Sequence, residues 1–362
     1  MTRYRVAIIG TGGIAEAHIQ AARSLGERVE VVAAVDVDRQ RVETYGAKHA
    51  IPSVYTDATE MLKREHPDLV QIATPPASHY SLIIQALAAG ATVLCEKPLC
   101  LSLAELDEIL DLEKLTDRYC SSVCQWRFGS GGRHLKQLIQ QGVLGRPLVG
   151  SCQTTWLRDQ AYYQVPWRGK WMTEGGGPTM GHGIHAMDLF LWLLGEWEEI
   201  SALADTLDHE IEVEDVSLAL VRFKNRALGS IVNSVISPRE ETRFRFDFQR
   251  ATVELTALYS YTNQNWSFTP APGKEGELLP HWHALQEDRA ASHAAQLLAL
   301  VESLERGERP LASTADVRPT IECISAIYKA AATGQRVRQG SIVPGDPYYQ
   351  HVGGQVSGAR VI

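Results

Sequence analysis

Tyr4-Arg5-Val6-Ala7-Ile8-Ile9-Gly10-Thr11-Gly12-Gly13-Ile14-Ala15 decides how the rest of the chain is read. A β-rich run from Arg3 to Ile9 flows into glycine and then into an alanine-rich helical pattern from Ile14 to about Leu25. Strand, tight turn and helix follow in that order. A second buried strand, Val29 to Val35, ends at Asp36, and a polar helical segment from Asp38 to about His49 closes a β-α-β unit. In such a unit Gly10 permits the turn, Gly12 lets the backbone approach a pyrophosphate, and Ala15 keeps the helix close to the sheet. The helix N-terminus faces the phosphates with amides and a partial positive charge. Gly10, Thr11, Gly12, Gly13 and Ile14 are therefore the expected dinucleotide cradle. Asp36 is placed to accept hydrogen bonds from the adenine-ribose hydroxyls and to repel a 2′-phosphate, which favours NAD over NADP. Arg39 and Arg41, just downstream, are the residues that argue the other way.

Working outward, apolar runs at Leu69 to Ala73, Thr92 to Cys95 and Tyr119 to Val123 alternate with helical patterns near Asp57 to Arg64, Ser78 to Ala89 and Ser102 to Leu115. Strands that are apolar without period-two alternation, separated by helices, predict a doubly wound parallel α/β sheet, a Rossmann domain over residues 1–124. The pattern then changes. Val149 to Leu157, Glu198 to Asp205, Val216 to Phe223, Leu228 to Ile236, Thr242 to Phe248 and Thr252 to Leu258 read as strands with short connections, interrupted by a helix from about Gly181 to Leu194. They predict an α+β domain with a large open antiparallel sheet over residues 125–340. Helices at about Ser292 to Glu305 and Val317 to Thr333 close it, Pro270 to Glu277 reads as a solvated loop, and residues 341–362 read as a loose tail.

A length of 362 residues agrees with two domains, since it exceeds what one core usually supports. Acidic residues outnumber basic ones 43 to 35, for a net charge of −8 without a basic stripe, so nucleic acid is excluded as a partner. The six cysteines are scattered and suggest neither a disulfide framework nor a zinc knuckle. No apolar stretch reaches the roughly 20 residues needed to cross a bilayer, so no membrane partner is expected. The opening apolar run is too short for a signal peptide, and the cytoplasm is the expected compartment.

Glu96-Lys97-Pro98 stands at the carboxyl end of an expected strand, the edge where open α/β sheets bind ligands. Pro98 disfavours helical geometry at Lys97 and points a cation toward the crevice. Taken with Gly10-x-Gly12-x-x-Ala15 and Ala73-Thr74-Pro75-Pro76 followed by His79, the chain resembles the glucose–fructose oxidoreductase / inositol dehydrogenase / rhizopine catabolism (Gfo/Idh/MocA) oxidoreductase family. The likeness runs on through Gly175-Gly176-Gly177, Gly183-x-His185 and Asp188. It implies that Thr74, Pro75 and Pro76 form the loop under the nicotinamide ribose with His79 beside it. It also implies that Glu96 and Lys97 lie near the nicotinamide, and that Lys97 binds the reacting hydroxyl. A homodimer or homotetramer formed through the open sheet is implied as well.

The family's second-domain motif resembles Gly-Gly-Gly-x-x-x-Asp-x-Gly-x-His-x-x-Asp, and here Gly181 stands where its first aspartate would be. His185 remains as the expected general base, because imidazole titrates near neutral pH. His182, next to Gly181, projects about 100° further round if the helix is continuous. His182 and His185 are three apart, which raises a metal reading with His281 or His283; no complete ligand set stands at diagnostic spacing, and no metal is expected. Asp188 reads as a helix anchor. Arg127, Arg158, Trp167 and His182 are expected to line the substrate site among neighbouring aromatic and cationic residues, a surface suited to a small polyhydroxylated ligand. The expected activity is NAD-dependent oxidation of a secondary hydroxyl of a sugar, anhydrosugar, sugar acid or cyclitol. Two alternatives remain open: tightly held NAD used transiently for elimination or glycoside cleavage, and a non-enzymatic dinucleotide-binding sensor.

Overall fold

The computed structural model describes residues 3–354, so the last part of the expected tail lies outside the described residues. The chain divides into two units. Among the described residues the first combines 3–123 with 293–318, and the second combines 124–292 with 319–354.

In the first unit β1 (Tyr4–Ile9), β2 (Val29–Val35), β3 (Ser53–Tyr55), β4 (Leu69–Ile72), β5 (Thr92–Cys95) and β6 (Cys120–Ser122) form one sheet in the order β3-β2-β1-β4-β5-β6. Every pair is parallel. The chain moves outward from β1 to β3 and then returns to β4, so the strand order reverses between β1 and β4, the switch point where such sheets bind ligands. β4 and β5 are buried along their whole length, as their unbroken apolar runs require. The register pairs Ile9 with Ile72 and Ile72 with Cys95. Gly10, Ala73 and Glu96 consequently follow one another across the carboxyl edge, with Thr11, Thr74 and Lys97 one step beyond. β3 carries no apolar run and is half-exposed at the sheet edge, which is why it gave no sequence signal.

The helix His293–Glu305 also belongs to this unit. Its Leu297, Leu300 and Val301 pack with Val6, Leu69 and Leu94. That departs from the contiguous 125–340 domain expected above: periodicity reveals a helix but not which sheet its apolar face covers.

The second unit holds β7 (Pro147–Leu157), β8 (Trp197–Asp205), β9 (Val216–Phe223), β10 (Leu228–Ser234), β11 (Ile236–Phe248), β12 (Ala251–Ala257), β13 (Trp266–Pro270) and β14 (Val337–Arg338), in the order β13-β12-β11-β7-β10-β9-β8-β14. The sheet is mixed: β7 and β10 run parallel, and the other pairs are antiparallel. β9 alternates buried Ala219, Val221 and Phe223 with exposed Leu218 and Leu220. The helix Ile184–Leu194 packs onto the buried face, where Phe190 meets Phe223 and Phe246 with ring centroids 5.7 and 5.8 Å apart.

Three local expectations change. The loop expected over Pro270 to Glu277 gives way at its end to a helix, Glu275–Trp282, which its internal Pro280 disguises in the sequence. The helix expected from Gly181 breaks into Pro178–Gly181 and Ile184–Leu194, with His182 and Gly183 between them. The tail is not loose as far as it is described: Tyr349 and Val352 are buried around the short helix Pro347–Gln350. Among the described residues no helix is long and apolar enough to cross a membrane.

Candidate active site

The glycine turn in the first unit follows from steric necessity. Gly10 has φ +91°, and a Cβ there would lie 2.6 Å from the Ala73 carbonyl oxygen and 2.8 Å from a Thr74 methyl. Only glycine lets β1 turn this close to β4. A Cβ on Gly12 or Gly13 would meet nothing within 4 Å. The amides of Gly12, Gly13 and Ile14 have no hydrogen-bond partner among the described residues, and the helix Ala15–Ser24 that follows has no side-chain cap. Open space in front of uncapped amides at a helix N-terminus fits a dinucleotide pyrophosphate.

Asp36, at the end of β2, is buried and bonded on all sides. Its Oδ2 accepts from the Thr11 amide and hydroxyl, each at 2.9 Å, and its Oδ1 accepts from the Asp38 amide at 3.0 Å and Arg41 at 3.2 Å. Burial pushes this carboxyl up, but the bonds from Asp38 and Thr11 and the charge of Arg41 outweigh it and hold the group below the usual carboxylate range. Arg41 is shared with Asp38 at 3.3 Å, whereas Arg39 pairs with Glu43 away from Asp36. Beside them opens a cleft of about 350 Å³ lined by Thr11, Asp38, Gln40, Arg41, Thr44, Tyr45 and Lys48.

On the same carboxyl edge Thr74 and Pro75 are accessible while Pro76 is buried. His79, expected beside the ribose, is fully buried. Its Nδ1 lies 2.7 Å from the Pro98 carbonyl and its Nε2 2.8 Å from the Thr74 carbonyl. It therefore braces the 74–76 loop against the turn after Lys97 instead of presenting a nitrogen to a ligand. Burial moves its pKa below the usual imidazole range.

Glu96 also departs from expectation. Its carboxylate turns inward, where Oε1 accepts from Nε2 of His18 at 3.1 Å and Nε2 of His293 at 2.8 Å, and Oε2 accepts the Lys97 amide at 3.2 Å. Burial pushes this carboxyl up, yet the two imidazoles hold it well below the usual range. Lys97 is half-buried at the edge itself, and its peptide bond to Pro98 is cis. Among the described residues, His18, Glu96 and His293 also form a cluster whose ligand atoms lie within 4.8 Å of one another, a spacing that suits a metal ion.

In the second unit His185 opens the helix Ile184–Leu194. The preceding Gly183 is required by close approach, because a Cβ there would fall 1.9 Å from Oδ1 of Asn233 on β10. His185 and His182 do not share a helical face, since the helix is broken between them. They meet instead in a recess, too tight to hold a water molecule, walled by Trp126, Thr154, Trp156, Thr242 and Tyr259. The Tyr259 ring stands edge-on to His185 at 5.7 Å, and Nε2 of His182 lies 3.2 Å from the Tyr162 hydroxyl. Arg168 also bonds that hydroxyl, and its guanidinium stacks 3.9 Å over Tyr162 and 4.3 Å over Trp167. Arg158 packs between Trp156 and Tyr162 and pairs with Glu240 at 3.0 Å.

Gly181 has a carboxylate beside it after all. Glu174, buried, accepts the Gly169 amide at 2.6 Å and pairs with Arg168 at 3.3 Å, and its Oε1 would lie 3.5 Å from a Cβ at position 181. Nothing in the motif marks Glu174, because it reaches that space from a different short helix, Trp171–Glu174.

Arg127, expected at the substrate, is buried in a forked pair with Asp188, at 2.6 Å from Nε and 2.5 Å from Nη2. Thr320 donates to the same carboxylate at 3.1 Å. Asp188 thus anchors the His185 helix, and Arg127 is its partner. Arg127→Ala strands a buried carboxylate, and a destabilisation of about 3–5 kcal/mol is expected, read as a lower denaturation midpoint. Unchanged stability together with a raised substrate KM would return Arg127 to the substrate site.

Comparison with known proteins agrees with this architecture. Residues 4–123 match an oxidoreductase family described by its NAD-binding Rossmann fold, and residues 133–254 match the Gfo/Idh/MocA C-terminal domain. A D-apiose dehydrogenase of Paraburkholderia graminis is 25% identical over 94% of this chain and 91% of its own length. A myo-inositol 2-dehydrogenase of Thermotoga maritima is 30% identical over 64% of this chain and 68% of its own. The crystal structure of the WlbA dehydrogenase from Bordetella pertussis, in complex with NADH and UDP-GlcNAcA, shares the fold with a TM-score of 0.83 at 24% identity, covering 93% of this chain and 99% of that one. With both domains matched and the glycine turn, Lys97 and His185 in their expected elements, the chain belongs to the Gfo/Idh/MocA family of NAD-binding oxidoreductases.

Proposed function

We propose that this protein is an NAD-dependent dehydrogenase that oxidises a secondary hydroxyl of a sugar, anhydrosugar, sugar acid or cyclitol. The observation that carries this function is the register of the parallel sheet, which sets the Gly10–Ile14 cradle and Lys97 on one carboxyl edge, two strands apart. The names of the relatives, an apiose and an inositol dehydrogenase, support the substrate class.

Gly12, Gly13 and Ile14 would hold the pyrophosphate, and Thr74 and Pro75 would flank the ribose next to the nicotinamide. The nicotinamide supplies the hydride acceptor when bound. Lys97 Nζ binds the reacting oxygen and stabilises the charge that develops on it as the C–H bond breaks. His185 takes the hydroxyl proton. Arg158, Trp167 and His182 contact the rest of the substrate, with Glu174 and Arg168 fixing Tyr162 and through it His182. Homodimers or homotetramers form through the open sheet face, where Leu203, Leu218 and Leu220 are exposed.

A cofactor-reduction screen over aldoses, anhydrosugars, sugar acids and inositols, with NAD and NADP in parallel, tests the function directly. NADH formation with at least one class is expected. No reduction of either cofactor across the panel would sink it. The preference for NAD rests on Asp36, and Asp36→Ala is expected to raise KM for NAD about tenfold, the size of a lost charge-assisted hydrogen bond, while improving use of NADP by releasing Arg41. An unchanged cofactor preference would move the discrimination elsewhere.

A further inference from the structure

Lys97 is held from beneath by groups that the proposed chemistry does not use. The Lys97 amide donates to Oε2 of Glu96, and the other oxygen of that carboxylate receives the Nε2 groups of His18 and His293. All three side chains are nine-tenths or more buried. The two imidazoles stand edge to face with centroids 5.1 Å apart, and the second ring nitrogen of His18 is bonded to Gln71 Oε1 at 2.9 Å. A buried carboxylate without donors is costly, so Glu96 keeps its place only while both rings donate to it. The three groups come from three elements: the helix that follows the glycine turn, the end of β5, and the helix His293–Glu305.

We propose that His293 and His18 are positioning residues for Lys97: by donating to one oxygen of Glu96 they aim its other oxygen at the Lys97 amide and so set where the Lys97 side chain leaves the sheet edge. The effect on turnover rests on the role given to Lys97 above; the hydrogen bonding itself does not. A displacement of about 1 Å at a catalytic group can cost on the order of a hundredfold in rate. His293→Leu removes the donor, whereas His293→Gln keeps an N–H that can reach Oε1.

The experiment compares these two variants with wild type by NADH fluorescence titration, by steady-state kinetics on the best compound of the screen, by zinc analysis of the purified protein, and by nitrogen-15 NMR of the wild-type imidazoles. His293→Leu is expected to lower kcat by about 10- to 100-fold with NADH affinity within about threefold, and His293→Gln to stay within about threefold of wild type. Both Nε2 atoms are expected to carry protons in the wild-type spectrum. Wild-type turnover in His293→Leu overturns the proposal, as does a His293→Gln variant impaired as deeply as the leucine one, since shape and not donation would then matter. One equivalent of zinc also overturns it, because a metal ion would replace the two N–H bonds. If His293→Leu does not fold, the wild-type spectrum decides, and an unprotonated Nε2 on either ring counts against the proposal. If no compound of the screen reacts, the dehydrogenase function fails, while the NMR and zinc measurements still judge the hydrogen bonding.

Discussion

Lys97→Met is expected to lower kcat by about a thousandfold, to the limit of detection in an NADH assay, while NADH binding stays within about threefold of wild type. Methionine keeps the length and apolar stem of lysine and removes only the charge. The loss therefore measures what an ammonium contributes to a developing alkoxide, for which removal of a single preorganised donor in other enzymes costs about 10² to 10³. The cradle stands two strands away: Gly12, Gly13 and Ile14 act through backbone amides that follow β1. Backbone placement is preserved too, because the Glu96 bond is to the main-chain amide and not to the side chain. Full activity in Lys97→Met would remove the dehydrogenase assignment at its root.

The second large effect is expected at His185. His185→Asn keeps a polar side chain that fits the recess beside Tyr259 but takes no proton near neutral pH, and kcat is expected to fall by about 10² to 10⁴, the range of positioned general bases. Added imidazole should restore part of the rate. His182 shares the recess, so His182→Asn is the control. A retained rate in His185→Asn with a lost rate in His182→Asn would exchange the two roles.

The first unit was legible because a parallel sheet buried on both faces leaves continuous apolar runs, and because the steric demand at Gly10 has no substitute among the amino acids. Asp36, Lys97 and His185 could be picked out because each sits at a fixed offset from a strand end or a glycine. Part of what stayed hidden comes from pairing across long chain separations, and part from local breaks and short helices. Arg127 looked like a substrate ligand until its carboxylate partner appeared 61 residues away on another helix. His293 carries no motif, yet it meets Glu96 across 197 residues. Glu174 reaches the space beside Gly181 from a helix that ends before the glycine run. The break falls at His182 and Gly183, where the glycines at 181 and 183 are the available signal and the expected helix extends the apolar run from Ile184 back over them.

The return of residues 293–318 to the first unit has a consequence for the order in which the protein is made. The strands, the glycine turn and Lys97 all leave the ribosome early, but Leu297, Leu300 and Val301, which cover the apolar face of that sheet, and the imidazole that meets Glu96 arrive only after seven of the eight strands of the second unit's sheet, all but β14, have been synthesised. At about 5–20 residues per second the nascent dinucleotide fold waits many seconds with a core helix missing and a buried carboxylate short of one donor. Maturation of the lysine's surroundings is thereby tied to near-completion of translation.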